Sequence, residues 1–135
     1  MQMLVVFDTN VLVSAIVSHN LNSTTVKVVK TIYDGKTIPL YNEEILSEYD
    51  EVLHRSKFNF DESEISNILE AIVKTGVYAK RTCSNESFPD PKDAMFYEVA
   101  LSKEGSFVVT GNTKHFPKDP IVVTPAELLE ILTNL

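Results

Sequence analysis

The stretch that most constrains the fold of this chain runs from residue 89 to residue 117, where a helix without a polar face precedes a short apolar strand. Asp90 and Asp93 open the helix. The residues that follow them are apolar nearly all round, namely Ala94, Met95, Phe96, Val99, Ala100 and Leu101. A helix that is apolar on every side is a buried one. Gly105 should end the helix, and residues 107–110 are typical of a buried strand that stops at a polar Gly-Asn loop.

The rest of the chain alternates in the same way between apolar runs and helical patterns. Runs typical of strands lie at residues 3–7, 37–41, 77–81 and 121–123. Helical patterns lie at residues 11–17, 26–33, 42–55, 61–75 and 125–132. The second strand carries Pro39, which should move it towards an edge of the sheet. The two consecutive helices at 42–55 and 61–75 predict a helical hairpin inserted between strands. The whole pattern predicts one α/β domain, residues 1–135, with a mostly parallel sheet.

Short local motifs mark several helix ends. Two pairs match the capping box, Asp61 with Glu64 and Thr124 with Glu127. Gly76 should end the helix that begins after Asp61. Asn10 is expected to cap the first helix. His19 is alone in a polar loop, and we expect it to be solvated.

The formal net charge of −7 argues against tight, nonspecific binding to a long nucleic-acid backbone. It leaves room for an enzyme that acts on nucleic acid, because divalent cations can neutralise clustered carboxylates beside a phosphate. The single cysteine, Cys83, cannot form an internal disulfide and suits a reducing cytosol. No apolar run reaches the ~18 residues of a membrane span, and no basic leader precedes an apolar stretch. We therefore expect a cytoplasmic protein that does not enter the membrane.

Acidic residues stand where predicted strands end or helices begin, which is the edge where open α/β sheets bind ligands. Asp8 directly follows the first strand, and we favour a functional role for it because one cap from Asp8, Thr9 and Asn10 is enough. Asp90 precedes Pro91, as a helix cap does. For Asp93, the local sequence favours a capping role and a chemical role equally.

The helix at 42–55 offers two further acids. Glu48 and Asp50 flank its apolar stripe almost equally, so periodicity does not choose between them. Oxygen donors without histidine or cysteine clusters favour Mg²⁺ or Mn²⁺ over zinc. Such ions in a carboxylate pocket most often serve phosphoryl chemistry.

Four motifs in order along nearly the whole chain resemble a PIN domain. They are VVFDTNVLVSA at 5–15, ILSEYDEVL at 45–53, DPKDAMFYEVAL at 90–101 and VVTGNTKHFP at 108–117, followed by IVVTPAELL. The closest resemblance is to the branch of virulence-associated-type ribonuclease toxins of prokaryotic toxin–antitoxin pairs. It implies a Rossmann-like three-layer α/β/α fold with a central, mostly parallel sheet and metal-dependent ribonuclease activity on single-stranded RNA. It also implies an antitoxin protein as partner and frequent formation of a homodimer.

The resemblance also assigns roles to residues. It makes Asp8, Glu48 and Asp93 the catalytic acids that hold Mg²⁺ or Mn²⁺, and so selects Glu48 over Asp50. Asn112 stands where the family often has a fourth acid, which removes one negative charge from the site. Further residues are candidates for contacts with substrate or pocket, namely Asn10, Asp90, Thr110, Lys114 and His115. For His115, packing beside Phe116 is an equal alternative, and Lys118 lies near the same sheet end as Lys114.

Two other functions compete with this interpretation. A phosphatase with an aspartyl nucleophile would need an Asp-x-Asp motif after the first strand, and this chain has Asp8-Thr9-Asn10. A PIN fold that binds RNA or protein without cleaving is the stronger rival. Asn112 and the negative charge favour that rival, while the presence of all three acids argues against it.

Overall fold

Five parallel strands form the central sheet of the computed structural model, which describes residues 2–135. The strands are β1 (Met3–Phe7), β2 (Thr37–Tyr41), β3 (Val77–Tyr78), β4 (Phe107–Val109) and β5 (Val122–Val123). Their order across the sheet is β3-β2-β1-β4-β5. The central strand β1 pairs with β2 through Leu4 and Ile38 and with β4 through Phe7 and Val109. Because all strands are parallel, their carboxyl ends meet at one edge of the sheet.

Six α-helices flank this sheet, which confirms the predicted Rossmann-like α/β class. They are α1 (Thr9–Ser18), α2 (Thr24–Tyr33), α3 (Glu43–Leu53), α4 (Glu62–Thr75), α5 (Ala94–Leu101) and α6 (Pro125–Thr133). Helices α3 and α4 are consecutive and pack against each other, as the helical hairpin predicted. Helix α6 begins with the predicted capping box of Thr124 and Glu127. Among residues 2–135, no helix has the length and apolar character needed to cross a membrane.

Helix α5 lies in the core, as its composition predicted. Every residue from Met95 to Ala100 is buried, and the helix packs against β1 and β4. The helix ends at Leu101, which is exposed, so the end is earlier than Gly105. Gly105 instead has a φ of 82° in the turn that leads to β4, a conformation that glycine adopts without strain. A short 3₁₀ turn, Pro91–Asp93, precedes the helix and delivers Asp93 to its start.

Two strand predictions were wrong, one on the position of a strand in the sheet and one on the length of a strand. The position of a strand could not be predicted because sheet order is not a local property. Strand β2 lies between β1 and β3, although Pro39 had placed it at an edge. Its neighbour β3 is only Val77–Tyr78 and pairs with Leu40 and Tyr41, so Pro39 lies outside that ladder. The predicted strand at 77–81 is therefore reduced to two residues. Gly76 is the C-cap residue of α4, as predicted, and a Cβ there would lie 2.4 Å from the carbonyl oxygen of Pro39.

Two helix-end predictions and the prediction for His19 also need correction. Asn10 does not cap α1, because the N-cap position belongs to Asp8 and Asn10 lies in the first turn. Asp61 caps α4 by accepting from the Ser63 amide, but the Glu64 carboxylate turns away from that helix end. It lies 2.8 Å from His19 Nε2, so His19 is exposed but paired rather than simply solvated.

Candidate active site

Three carboxylates from three separate elements line one pocket of about 330 Å³ at the carboxyl end of the sheet. Asp8 directly follows β1, Glu48 lies on α3, and Asp93 ends the 3₁₀ turn before α5. The pocket is also lined by four other residues that the sequence had suggested, namely Asn10, Asp90, Asn112 and His115. Residues far apart in the chain thus meet at the edge where the first strand and the fourth strand end.

Asp8 lies at the bottom of this pocket and is almost fully buried, with 6% of its surface exposed. Its Oδ2 accepts a hydrogen bond of 2.7 Å from the Thr110 hydroxyl, which in turn accepts from the Asn112 amide at 3.0 Å. Burial raises the pKa of the Asp8 carboxyl, and the hydrogen bond from Thr110 opposes that rise. Thr110 is itself fully buried, so it positions Asp8 from beneath the pocket and does not face it.

Asp93 carries the clearest sign of electrostatic strain in the pocket. Burial, together with the negative charges of Asp8, Asp90 and Glu48, raises the pKa of Asp93 to about 6. His115 acts in the opposite direction, and its Nδ1 lies 3.8 Å from Asp93 Oδ2. A carboxylate with so high a pKa lacks a strong cationic partner in the folded protein.

The position of Glu48 resolves the choice that helical periodicity left open. Glu48 is half-buried and lines the pocket, whereas Asp50 is exposed and lies beside His54. Tyr49, between them, is fully buried and donates its hydroxyl to the carbonyl of Phe7. That hydrogen bond fixes α3 against the end of β1, so its neighbour Glu48 faces the same pocket as Asp8.

The polar residues around the acids tie the pocket walls together. Asn10 Oδ1 accepts from the Gly111 amide at 3.4 Å, which joins the start of α1 to the loop after β4. Asp90 accepts from the Lys92 amide at 3.0 Å and so caps the 3₁₀ turn, as expected. His115 faces the pocket, where its Nδ1 lies 3.0 Å from Asn112 Nδ2. It is not packed beside Phe116, which is buried against Phe88.

A family model described as "PIN domain" matches residues 4–114 of the chain. This chain belongs to the PIN domain family. PIN domains form a superfamily of nucleases that generally depend on divalent metal ions. The matched range contains all four residues assigned to catalysis, Asp8, Glu48, Asp93 and Asn112. No curated protein and no solved structure matched the chain.

The chemistry of the donors in this PIN domain suits a hard divalent cation, although their present spacing does not form a finished metal site. The pocket offers four carboxylates, including Asp90, and the amide oxygens of asparagines, which are the ligands that Mg²⁺ and Mn²⁺ prefer. Within residues 2–135, no Lys or Arg nitrogen lies within 4.0 Å of an Asp8, Glu48, Asp90 or Asp93 carboxylate. The same part of the chain has no group of three or more His, Cys, Asp and Glu side chains arranged to hold an ion.

Besides Thr110, two candidates from the sequence do not line the pocket, and some residues that do line it were missed. Lys114 and Lys118 are both exposed and lie outside the pocket wall. Arg55 and Phe58, just beyond α3, form part of that wall. The spacing of Glu48, Val52 and Arg55 repeats along one helical face, so Arg55 could have been found from the sequence once Glu48 was chosen. Phe58 lies in an irregular loop, and no periodicity points to it.

Proposed function

We propose that this PIN domain is a metal-dependent endoribonuclease that hydrolyses phosphodiester bonds of single-stranded RNA. The observation that carries the proposal is the convergence of Asp8, Glu48 and Asp93 on one pocket without a lysine or arginine partner. Carboxylates that repel one another destabilise a fold unless a proton or a cation lies among them. A binding surface would have no need of this arrangement.

In this proposal Asp8, Glu48 and Asp93 hold Mg²⁺ or Mn²⁺, and the Asn112 carbonyl oxygen helps to position the ion or the phosphate. When bound, such an ion lowers the pKa of its water and polarises the phosphate. Thr110 orients the Asp8 carboxylate through the 2.7 Å hydrogen bond. His115, between Asn112 and Asp93, is placed to orient the substrate or to supply a proton to it.

The remaining residues around the pocket take positioning roles. Asn10 holds the start of α1 to Gly111, and Asp90 fixes the turn that delivers Asp93. Lys114 lies outside the pocket, where a contact with the RNA backbone is the role that its exposure allows. These residues would keep the three acids in place while the substrate binds.

We further propose that the protein, acting as one domain over residues 1–135, is the toxin of a toxin–antitoxin pair in the cytoplasm. An antitoxin protein or a second copy of the chain needs an apolar surface to bind. Three large apolar side chains, Val17, Leu21 and Tyr33, are more than half exposed. Leu21 and Tyr33 line a groove of about 320 Å³ beside α1, α2 and α4. The single exposed thiol, Cys83, suits the reducing cytoplasm.

A second candidate is a PIN fold that binds RNA or protein without cleaving. Two observations favour it, the neutral Asn112 in place of a fourth acid and the formal net charge of −7. A catalytic site of this kind must bind a divalent cation, whereas a binding module need not. Metal dependence therefore separates the two functions.

The test is cleavage of a mixed-sequence single-stranded RNA by the purified protein with Mg²⁺ or Mn²⁺, compared with EDTA. We expect metal-dependent cleavage that Asp93→Ala abolishes and that Asp34→Ala leaves unchanged. Asp34 is an exposed acid paired with Lys30, which makes it a matched control away from the pocket. Absence of cleavage with both metals, in folded protein free of antitoxin, would favour the binding module.

A further inference from the structure

The loop between α3 and α4, residues 54–61, places an aromatic ring in the wall of the acidic pocket. Phe58 is half-buried and lines the pocket together with Asp8, Glu48 and Asp93. Its ring stacks on that of Phe60, with centroids 5.0 Å apart and planes only 3° from parallel. A large apolar ring is unusual beside a cluster of carboxylates, and the packing of the core does not require it there.

This loop is held at both ends, so the ring is oriented before any ligand arrives. His54 Nδ1 lies 2.7 Å from the carbonyl oxygen of Asp50, and its Nε2 lies 2.7 Å from Glu62 Oε2. The histidine thus joins the last turn of α3 to the first turn of α4. Between these ends, the Phe58 amide donates to the Arg55 carbonyl at 3.1 Å and closes a turn. Preorganisation of this kind lowers the entropy lost on binding.

Two cations accompany the ring at the pocket mouth. Arg55 lines the pocket, and Glu51 holds its guanidinium through bonds of 2.9 Å and 3.3 Å. A guanidinium has five N–H donors, so Arg55 keeps donors for a phosphate after Glu51 has taken two. The Lys57 ammonium lies over the Phe58 ring, 5.1 Å from its centroid. Two cationic side chains and an aromatic surface therefore lie next to the acids.

We propose that Phe58 is the stacking surface for a nucleobase adjacent to the phosphate at the acidic pocket, where the base displaces the Lys57 ammonium from the ring, and that Arg55 contacts the backbone beside that base. The inference rests on the proposed function for the nature of the substrate, a nucleic acid, and adds how its strand is held. Every base has a face that can stack on an aromatic ring, and only an unpaired base can offer it. The arrangement thus selects single strands over duplexes without selecting a sequence.

The test measures binding of a fluorescently labelled single-stranded RNA by anisotropy, with Ca²⁺ as the divalent ion, and cleavage of the same RNA separately with Mg²⁺ or Mn²⁺. The variant is Phe58→Leu, which keeps an apolar side chain and removes the ring. Phe58→Tyr restores the ring, and Tyr78→Leu removes an exposed aromatic residue that lies outside the pocket wall. Thermal melting of each variant shows that the fold is kept.

A set of RNA probes, each with one abasic position, turns this comparison into a double-mutant cycle. We expect Phe58→Leu to weaken binding of intact RNA by at least about fivefold, the low end for stacking of a base on an aromatic ring. Phe58→Tyr and Tyr78→Leu should bind as the unchanged protein does. With one of the abasic probes, the unchanged protein should lose as much affinity as Phe58→Leu lost, and Phe58→Leu should lose nothing more.

The inference is overturned if Phe58→Leu binds intact RNA as well as the unchanged protein does, or if no RNA binds. It is also overturned if, for every abasic probe, the loss of binding free energy from Phe58→Leu adds fully to the loss from the abasic position. Binding that depends on Phe58 without any cleavage would uphold the inference and contradict the proposed ribonuclease. Metal-dependent cleavage together with binding that does not depend on Phe58 would support the proposed ribonuclease and overturn the inference.

Discussion

Two carboxylates on the same segment of the chain, Glu98 and Asp93, have opposite environments. Glu98 lies in α5 and accepts three hydrogen bonds, from Arg81 Nε at 2.8 Å, the Ser84 amide at 3.0 Å and the Ser84 hydroxyl at 2.9 Å. Burial alone would raise the pKa of the Glu98 carboxyl, but these bonds outweigh it and hold that pKa below its usual range. Asp93, just before the same helix, has a pKa raised to about 6.

The difference separates a carboxylate that the fold satisfies from one that it leaves without a strong partner. Where α5 needs a buried acid for packing, the chain supplies Arg81 and Ser84 to satisfy it. At the pocket, three acids come together and the chain supplies no arginine or lysine within 4.0 Å among residues 2–135. Strongly perturbed carboxyl groups in a cleft are typical of active sites. The comparison supports the proposal that a cation from outside the chain completes the pocket.

The largest effect that the comparison predicts concerns Glu48 and its neighbour Asp50 on α3. Glu48→Gln should reduce metal-dependent RNA cleavage by on the order of 100-fold or more, because an oriented charge is lost from the site. Asp50→Asn, the matched control, removes an exposed acid outside the pocket and should leave the rate nearly unchanged. Initial rates of cleavage at saturating Mn²⁺ measure both. Equal rates for the two variants would show that Glu48 is not the third acid of the site beside Asp8 and Asp93.

The next largest effect concerns Glu98, the carboxylate that has partners within the fold, and it is tested by replacing Arg81. Arg81→Met should lower the free energy of unfolding by about 2 kcal/mol at neutral pH, because Glu98 then lies buried with Ser84 as its remaining partner. This loss is less than for a fully buried pair, since the Arg81 side chain is partly exposed. Arg55→Met breaks an exposed ion pair with Glu51 and should leave the free energy of unfolding nearly unchanged.

Urea unfolding at two pH values checks the prediction for Arg81. The folded-state pKa of Glu98 is lowered, so its stabilising contribution is present above the usual glutamate pKa and is lost as the pH falls through the folded value. The difference in free energy of unfolding between the unchanged protein and Arg81→Met should therefore become smaller in acid. A difference that is small at neutral pH, or that grows in acid, would mean that Glu98 does not depend on Arg81.

A smaller effect of opposite sign is expected for Asp93. Its folded-state pKa is raised, so the unchanged protein loses stability as the pH rises from about 4 through about 6. In EDTA at about pH 7.5, Asp93→Asn should raise the free energy of unfolding by about 1–2 kcal/mol, after allowing for solvent screening of the partly exposed carboxylate. Below about pH 4 the gain should vanish, because Asp93 is then protonated as well.

Thermal melting at the two pH values, with Asp34→Asn as control, measures this gain. Asp34 is an exposed acid paired with Lys30, so its amide variant should gain no stability. A variant Asp93→Asn that is less stable than the unchanged protein at about pH 7.5 would show that Asp93 is satisfied within the fold. The pocket would then resemble the surroundings of Glu98.

Much of the fold could be predicted from the sequence because its signals are local. The run 3–7 followed by Asp8, and the apolar helix at 94–101, each specify burial without reference to the rest of the chain. The order of the strands could not be predicted, since Pro39 is tolerated inside the sheet only because β3 is too short to pair with it. The capping box at Asp61 failed for a similar reason, as Glu64 contacts His19 from another part of the chain.

The candidate site divides in the same way. Asp8 follows from the end of a strand, but helical periodicity left Glu48 and Asp50 equal, and the buried hydroxyl of Tyr49 is what orients that helix in the structure. Phe58 and the partnership of Arg81 with Glu98 depend on loops whose paths no local pattern encodes. Sequence therefore locates the acids better than it locates what surrounds them.

The most direct test of the missing charge is the thermal shift that Mn²⁺ or Mg²⁺ produces in the unchanged protein, Asp93→Asn and Asp34→Asn. A ligand that binds the folded state at 100 times its dissociation constant stabilises it by about 2.7 kcal/mol. The melting temperature of the unchanged protein and of Asp34→Asn should rise with metal, and that of Asp93→Asn should rise far less. If metal does not raise the melting temperature of the unchanged protein, or raises it equally in all three proteins, the claim that the pocket acids bind a divalent cation is contradicted.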